Sequence, residues 1–221
     1  MSSRDQLIAS LVDDLKVKRN RLPVVWVAIS WWLLSWLYVV VATWLMGPIR
    51  ALHEQYAFAP YVNNVHTHQF HFESLIGLVA SLLIAIVAWY GSTPAALTKR
   101  AVYIAFAFVA VWLAFYVVGF FEPALEPSMI GKREHCYFEA FLYSMPPTLL
   151  ACFYMLRRYP INKIKTGFLI GLAGGMMPAL FMQFACMYEP GHIFTHHIIP
   201  ALFTGFIGAF ILYVGGLIKK R

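Results

Sequence analysis

Thiol and imidazole side chains are concentrated in one stretch near the end of the chain, residues 181–200. Cys186 ends an apolar run there, and Glu189-Pro190-Gly191 predicts a turn. Three histidines follow the turn: His192, His196 and His197. Thiolate and imidazole are the ligands that bind zinc, copper and related soft metal ions. The stretch therefore predicts an ion site or a redox-sensitive thiol.

Two other places supply candidate ligands. The segment before the second apolar run contains three imidazoles within six residues: His66, His68 and His71. The fourth run opens with His135 and Cys136, and Glu139 lies one helical turn later, on the same face as Cys136. The alternative is that the histidines hydrogen-bond headgroups and water, and that Glu139 is an interfacial carboxylate bonded within the helix bundle.

Composition predicts an all-α, polytopic membrane protein. Of 221 residues, 61% are hydrophobic and 12% are charged, whereas soluble domains have about 25% charged residues. Mean hydropathy is +0.67. A span requires about 20 apolar residues, and six runs meet this: 24–46, 72–90, 101–121, 137–156, 166–187 and 194–218. Residues 23–221 are thus predicted to form a six-helix transmembrane domain.

The distribution of charge predicts that both termini lie in the cytoplasm. With the N-terminus inside, 14 of the 17 lysines and arginines fall on the inner side, as the positive-inside rule requires. The net charge of +7 is therefore a topology signal and gives no indication of nucleic-acid binding. The same topology places Cys136, Cys186 and all eight histidines on the outer side.

Residues 1–22 precede the first span and predict an amphipathic helix with a basic end. Its apolar stripe consists of Leu7, Ile8, Leu11, Val12 and Leu15. Acidic residues including Asp13 and Asp14 lie opposite the stripe. Such a helix either lies on the inner leaflet with its basic end on anionic headgroups or binds a groove in a partner protein.

The two cysteines of the outer side are expected to lie close together. A short basic loop joins the fourth and fifth runs, so these helices are predicted to be neighbours, with Cys136 and Cys186 at similar depth. Such a pair can form a disulfide, act as a redox-sensitive dithiol, or bind copper, zinc or cadmium together with nearby histidines. Two unrelated cysteines are the remaining alternative.

Several segments resemble the NrsF-type membrane anti-sigma factors, a family of six-span inner-membrane proteins. The segments are residues 5–15, Cys136 with Ser144-Met145-Pro146, Leu156-Arg157-Arg158, residues 171–175, Cys186, and residues 194–200. The family often has a histidine immediately before its second cysteine, where this chain has Ala185.

This resemblance implies a non-enzymatic regulator in the bacterial inner membrane that does not itself bind nucleic acid. It implies that the N-terminal helix holds an extracytoplasmic-function sigma factor at the cytoplasmic face. Metal binding or thiol oxidation at Cys136 and Cys186 would then release that partner.

Two other functions compete with this interpretation. The His192-x-x-x-His196-His197 pattern resembles a histidine box of membrane di-iron desaturases and hydroxylases, but those enzymes need several such boxes and this chain has one. A metal transporter is the second alternative. The sequence argues against it, because no ionisable residue lies at the midplane of a predicted span, where transport sites are expected.

Overall fold

The computed structural model describes residues 23–47, 49, 65–91, 97–121, 133–158, 160–186 and 190–218, and this part of the chain is helical without strands. Its elements in chain order are α1 (Val24–Met46), α2 (Val65–Tyr90), α3 (Lys99–Phe121), α4 (Cys136–Arg158), α5 (Lys163–Ala185), the short α6 (Pro190–Ile193), a π-helix (Phe194–Ile198) and α7 (Ile199–Ile218).

Within the described residues, five helical segments are long and apolar enough to cross a membrane: Val24–Met46, His71–Tyr90, Lys99–Phe121, Lys163–Ala185 and Gly191–Ile218. They coincide with five of the six predicted runs, and the chain is therefore a multi-pass membrane protein. The fourth run lies in α4, which has 23 residues but lower hydropathy, since it contains Glu139, Pro146 and Pro147. The Pro146-Pro147 pair predicts a break or a kink in the middle of this helix, and the helix is not broken there.

The α5 helix lies at the centre of the bundle and packs against α1, α2, α4 and α7. Its closest neighbour is α7, because glycines replace side chains along the shared face. A methyl group on Gly171 would overlap the Thr204 carbonyl oxygen, and one on Gly167 would overlap that of Gly208. Small residues let helices pack backbone to backbone in a membrane. The four-residue spacing of Gly167, Gly171 and Gly175 predicts such a ridge, and the close contacts confirm it.

The α1 helix is attached to the bundle along one face only. Its buried residues recur every three or four positions: Ala28, Trp31, Ser35, Val39 and Thr43. Trp31 Nε1 donates a hydrogen bond to the Pro147 carbonyl at 3.1 Å, and Trp32 Nε1 donates one to Ser81 Oγ at 3.0 Å. The opposite face exposes large apolar side chains, as expected of a helix that faces lipid.

The two ends of the bundle differ in chemistry. The cysteine end carries Cys136, where α4 begins, and Cys186, which directly follows α5. The basic end carries the other ends of these helices, with Arg157 and Arg158 in the last turn of α4. Lys163, at the start of α5, donates from Nζ to the Gly216 carbonyl at 3.2 Å and so ties α5 to α7 there.

A leucine at position 171 is expected to destabilise the protein strongly. Overpacking a core costs about 1–3 kcal/mol of stability. The cost of Gly171→Leu should lie at the upper end of this range, because the new side chain would meet the Thr204 backbone carbonyl, which cannot rotate away as a side chain can. Thermal unfolding in mild detergent should show a clear fall in Tm. Ala107→Leu, a matched change at an exposed position of α3, should leave Tm unchanged. Equal Tm values for both variants would contradict the close helix contact.

Candidate thiol and imidazole site

Two thiols at the cysteine end come from neighbouring helices. Cys136 is the first residue of α4. Cys186 caps α5, and its backbone N–H donates to the Met182 carbonyl at 2.7 Å. Both side chains are buried and both are free thiols. Because α4 packs against α5, the end of one helix and the start of the other bring the two sulfur atoms into one cluster.

Two imidazoles reach the same cluster from the chain that leads into α7. His192 lies in α6 and His197 in the π-helix. Five residues along a regular α-helix turn the side chain by about 140°, which would point the two rings apart. Hydrogen bonding from residue i+5 to residue i widens the turn, and the ring centroids of His192 and His197 are 5.3 Å apart. The π-helix therefore allows both histidines to face the thiols.

The wide turn has a local cause in the sequence. Pro200 has no N–H to donate to the carbonyl four residues earlier, that of His196, so the regular α-helical pattern is interrupted there. The N–H of Ile199 instead bonds the Phe194 carbonyl, five residues back. Short π-helical segments of this kind occur frequently at functional sites.

The four ligand atoms of Cys136, Cys186, His192 and His197 all lie within 4.8 Å of one another, and all four residues are buried. His192 Nε2 is 3.2 Å from Cys136 Sγ and 3.4 Å from Cys186 Sγ. Zinc–sulfur and zinc–nitrogen bonds of usual length in a tetrahedral site place sulfur and nitrogen about 3.6 Å apart. The cluster thus fits a four-coordinate ion with two thiolates and two imidazoles.

Proton affinity at the cluster favours a thiolate on Cys186, which lies one residue beyond the end of α5. A hydrogen bond from Cys136 lowers the pKa of Cys186; burial opposes this, and the contact with the His192 ring lowers the pKa further. Metal ligands must be deprotonated to bind. A thiol that loses its proton easily beside two imidazoles is suited to capture a cation.

A largely buried ion pair adjoins the cluster and reaches α1. Arg133 Nε donates to Glu139 Oε2 at 2.6 Å, and Arg133 Nη2 lies 3.5 Å from the Thr43 carbonyl oxygen. The guanidinium group also lies against Gly47, just beyond α1. Glu139 therefore pairs with arginine and does not join the four-ligand cluster.

The other predicted ligands lie apart from the four. His135 is exposed in a turn, and His71 is exposed near the start of α2. His196 is exposed and stacks on the His192 ring with centroids 4.3 Å apart. The side chains of His66 and His68, and the whole predicted partner helix with Leu7, Ile8, Leu11, Val12, Leu15, Asp13 and Asp14, fall outside the described residues.

Sequence reasoning missed two parts of this end of the molecule. One is Arg133. It is one of the few basic residues predicted to lie on the outer side, and it comes three positions before Cys136; these two features could have identified it. The other is a polar bridge across three helices: Tyr116 Oη donates to Gln183 Oε1 at 2.7 Å, and Gln183 Nε2 donates to Ser74 Oγ at 3.0 Å. Polar residues within apolar runs were the available signal for that bridge.

Fold and site together define a polytopic helical membrane protein with a buried dithiol and imidazole cluster at one end. The sequence profile of the NrsF family, described as negative regulator of sigma F, matches residues 11–214. That match omits only ten residues at the start and seven at the end, and the chain belongs to this family. It is accordingly an anti-sigma factor, with a sigma factor as its partner. No curated protein and no solved structure shows a significant match.

Purified protein is expected to bind one zinc or cadmium ion per chain through the cluster. Removing a group that only supports a metal ligand weakens metal affinity about 10–100-fold. Because His192→Gln removes a ligand itself, it should weaken metal affinity by at least as much. Competition with a chromophoric chelator measures this. His196→Gln is the matched control and should keep near-normal affinity. Equal weakening by both variants would contradict the four-ligand assignment.

Proposed function

We propose that this anti-sigma factor holds an extracytoplasmic-function sigma factor at the cytoplasmic face and releases it when a soft metal ion binds the outer cluster. The observation that carries the proposal is the convergence of Cys136, Cys186, His192 and His197 in a member of a sigma-regulating family. Residues 1–22 would supply the partner-binding helix through the apolar stripe.

The proposed topology has six spans in a bacterial inner membrane, with α4 as the fourth span. The α4 helix packs against α1, α5 and α7, and each of those neighbours contains a candidate span. Lysines and arginines concentrated at the basic end favour the cytoplasm for that end. The cysteine end would then face outward, where it meets ions that enter from the environment.

A contact route from the cluster to α1 supports the proposed release. Cys136, Cys186 and Tyr143 share one buried apolar group with Ala42 of α1, and Ile49 also packs against it. Arg133 adds the polar contact to Thr43 near the end of α1. Because α1 is continuous in sequence with residues 1–22, a shift of α1 would move the partner-binding segment at the opposite face.

The binding energy of a metal ion is large enough for such a switch. Moving a two-state equilibrium from 1:99 to 99:1 needs a differential affinity of about 5.5 kcal/mol. Structural zinc sites of thiolate and imidazole contribute about 10–16 kcal/mol in small peptides at neutral pH. About half of that energy, directed to one state of the bundle, would suffice.

Oxidation is a second candidate signal, favoured by one specific observation. The two free thiols lie within the same 4.8 Å cluster, so a disulfide could form with little movement of the chain. The two buried imidazoles favour metal binding, because a disulfide needs no nitrogen ligands.

Four protein ligands also leave no open position for a substrate, unlike catalytic zinc sites, which agrees with a regulatory role.

The partner-binding segment is tested by affinity purification in mild detergent. Full-length protein should retain a sigma factor, and a version lacking residues 1–22 should not. Leu7→Ser with Leu11→Ser should also lose the partner, since it disrupts the apolar stripe. Lys16→Ser with Lys18→Ser is the matched control and should retain it. Retention of the sigma factor by the truncated protein would show that another surface binds it.

A further inference from the structure

An apolar groove runs between α1 and α4, and none of the four residues of the thiol and imidazole cluster lines it. Its volume is about 600 Å³, within the range of small-molecule sites. Trp31 and Trp89 lie at its base with ring centroids 6.0 Å apart, and Tyr154 packs on Trp89 at 5.0 Å. The bond from Trp31 to the Pro147 carbonyl fixes the indole, so the base of the groove is preformed.

The groove is mostly apolar, with two serines and two tyrosines among its lining residues, and it has a cation at one end. Ser35 lines it, but the Ser35 hydroxyl already donates to the Trp31 carbonyl at 2.7 Å. Arg157 lies at the basic end, with its guanidinium carbon 4.3 Å above the centroid of the Phe153 ring. An occupant that matches these walls has a long hydrocarbon part and an anionic group at one end.

The length of the groove matches one leaflet of a bilayer. It extends from Val27 to Tyr38 along α1 and from Pro146 to Arg157 along α4. Each stretch rises about 16 Å at helical geometry, and half of a bilayer's hydrocarbon core is about 15 Å thick. An acyl chain lying in the groove would therefore bring its headgroup to the level of Arg157.

We propose that the groove binds an anionic phospholipid of the cytoplasmic leaflet, with one acyl chain between α1 and α4 and the phosphate on Arg157. The inference rests on the proposed orientation and on the placement of α4 in the bilayer; it is independent of the metal site and the sigma factor. The N-terminal helix is a poorer occupant, because Asp13, Asp14 and Lys16 would enter hydrocarbon. The bound lipid packs beside the direct contact between α1 and α4 and so helps to set the position of the helix that leads to the partner-binding segment.

Native mass spectrometry of the full-length protein in mild detergent tests this binding, with phosphatidylglycerol and phosphatidylcholine as probes. Wild-type protein should retain one phosphatidylglycerol in preference to phosphatidylcholine. Arg157→Gln should weaken phosphatidylglycerol binding about fivefold, the usual effect of one basic residue near an anionic headgroup. Arg100→Gln removes an equal charge at the exposed start of α3 and should have no effect.

A second pair of variants tests the acyl-chain position. Ser30→Trp places an indole in the groove and should abolish lipid retention of either kind. Leu33→Trp, on the exposed face of α1 outside the groove, should leave retention unchanged. Equal retention by both variants would overturn the proposal, as would a wild-type dimer that Ser30→Trp dissociates, because the occupant would then be a second copy.

The placement of α4 in the bilayer is tested separately. Leu150 is 64% exposed and faces lipid if α4 spans the membrane. Leu150→Cys should then add no labelling by a membrane-impermeant maleimide in intact vesicles above that of the wild type, whose three free cysteines set the background. Reaction would contradict the span, whereas protection combined with weak lipid retention would contradict only the groove proposal.

Discussion

The backbone contact between α5 and α7 is the constraint on which the rest of the structure depends. Glycines remove side chains from this interface, so the helix axes can lie closer than usual helix pairs allow. Cys186 follows one of these helices, and His192 with His197 precedes the other. Close packing of the two helices therefore holds one thiol and two imidazoles in register before any ion binds. The α4 helix then needs to add only Cys136.

The cluster combines a closed ligand set with a polar link to a loosely held helix. Four buried side chains provide the ligands, and Arg133 connects the start of α4 with the end of α1. A buried ion pair is weak evidence for stability, since desolvation offsets much of the attraction. We therefore interpret the Arg133–Glu139 pair as a contact that fixes the position of α1 relative to α4. A signal that releases the partner has to change this relative position.

Much of the fold could be predicted from the sequence, because a bilayer imposes length and composition on each helix. Five apolar segments and the glycine ridge follow from hydropathy and spacing alone. The fourth run is harder to predict from hydropathy, because Glu139 and the two prolines lower the hydropathy of α4 while tertiary contacts keep it helical. Of the candidate site, the sequence identified the residue types but could not choose among eight histidines.

That choice depended on tertiary geometry. His192 and His197 converge through a π-helical turn, which is a departure from the regular period that sequence reasoning assumes. His196 lies between them in the chain yet stays exposed. Glu139 shares a helix face with Cys136, as spacing predicts, but Arg133 pairs with it. No pattern in the sequence specified that pairing.

Dissociation of the sigma factor from the protein inside reconstituted vesicles, followed by energy transfer between fluorophores on the two proteins, tests the central claim most directly. Full-length protein with bound sigma factor is oriented with its cysteine end outward, and zinc or cadmium is added outside. We expect release from the wild type, no release from Cys136→Ser, and metal binding without release from Arg133→Gln, in which the link to α1 is lost. Release from Cys136→Ser at the wild-type metal concentration would contradict the account.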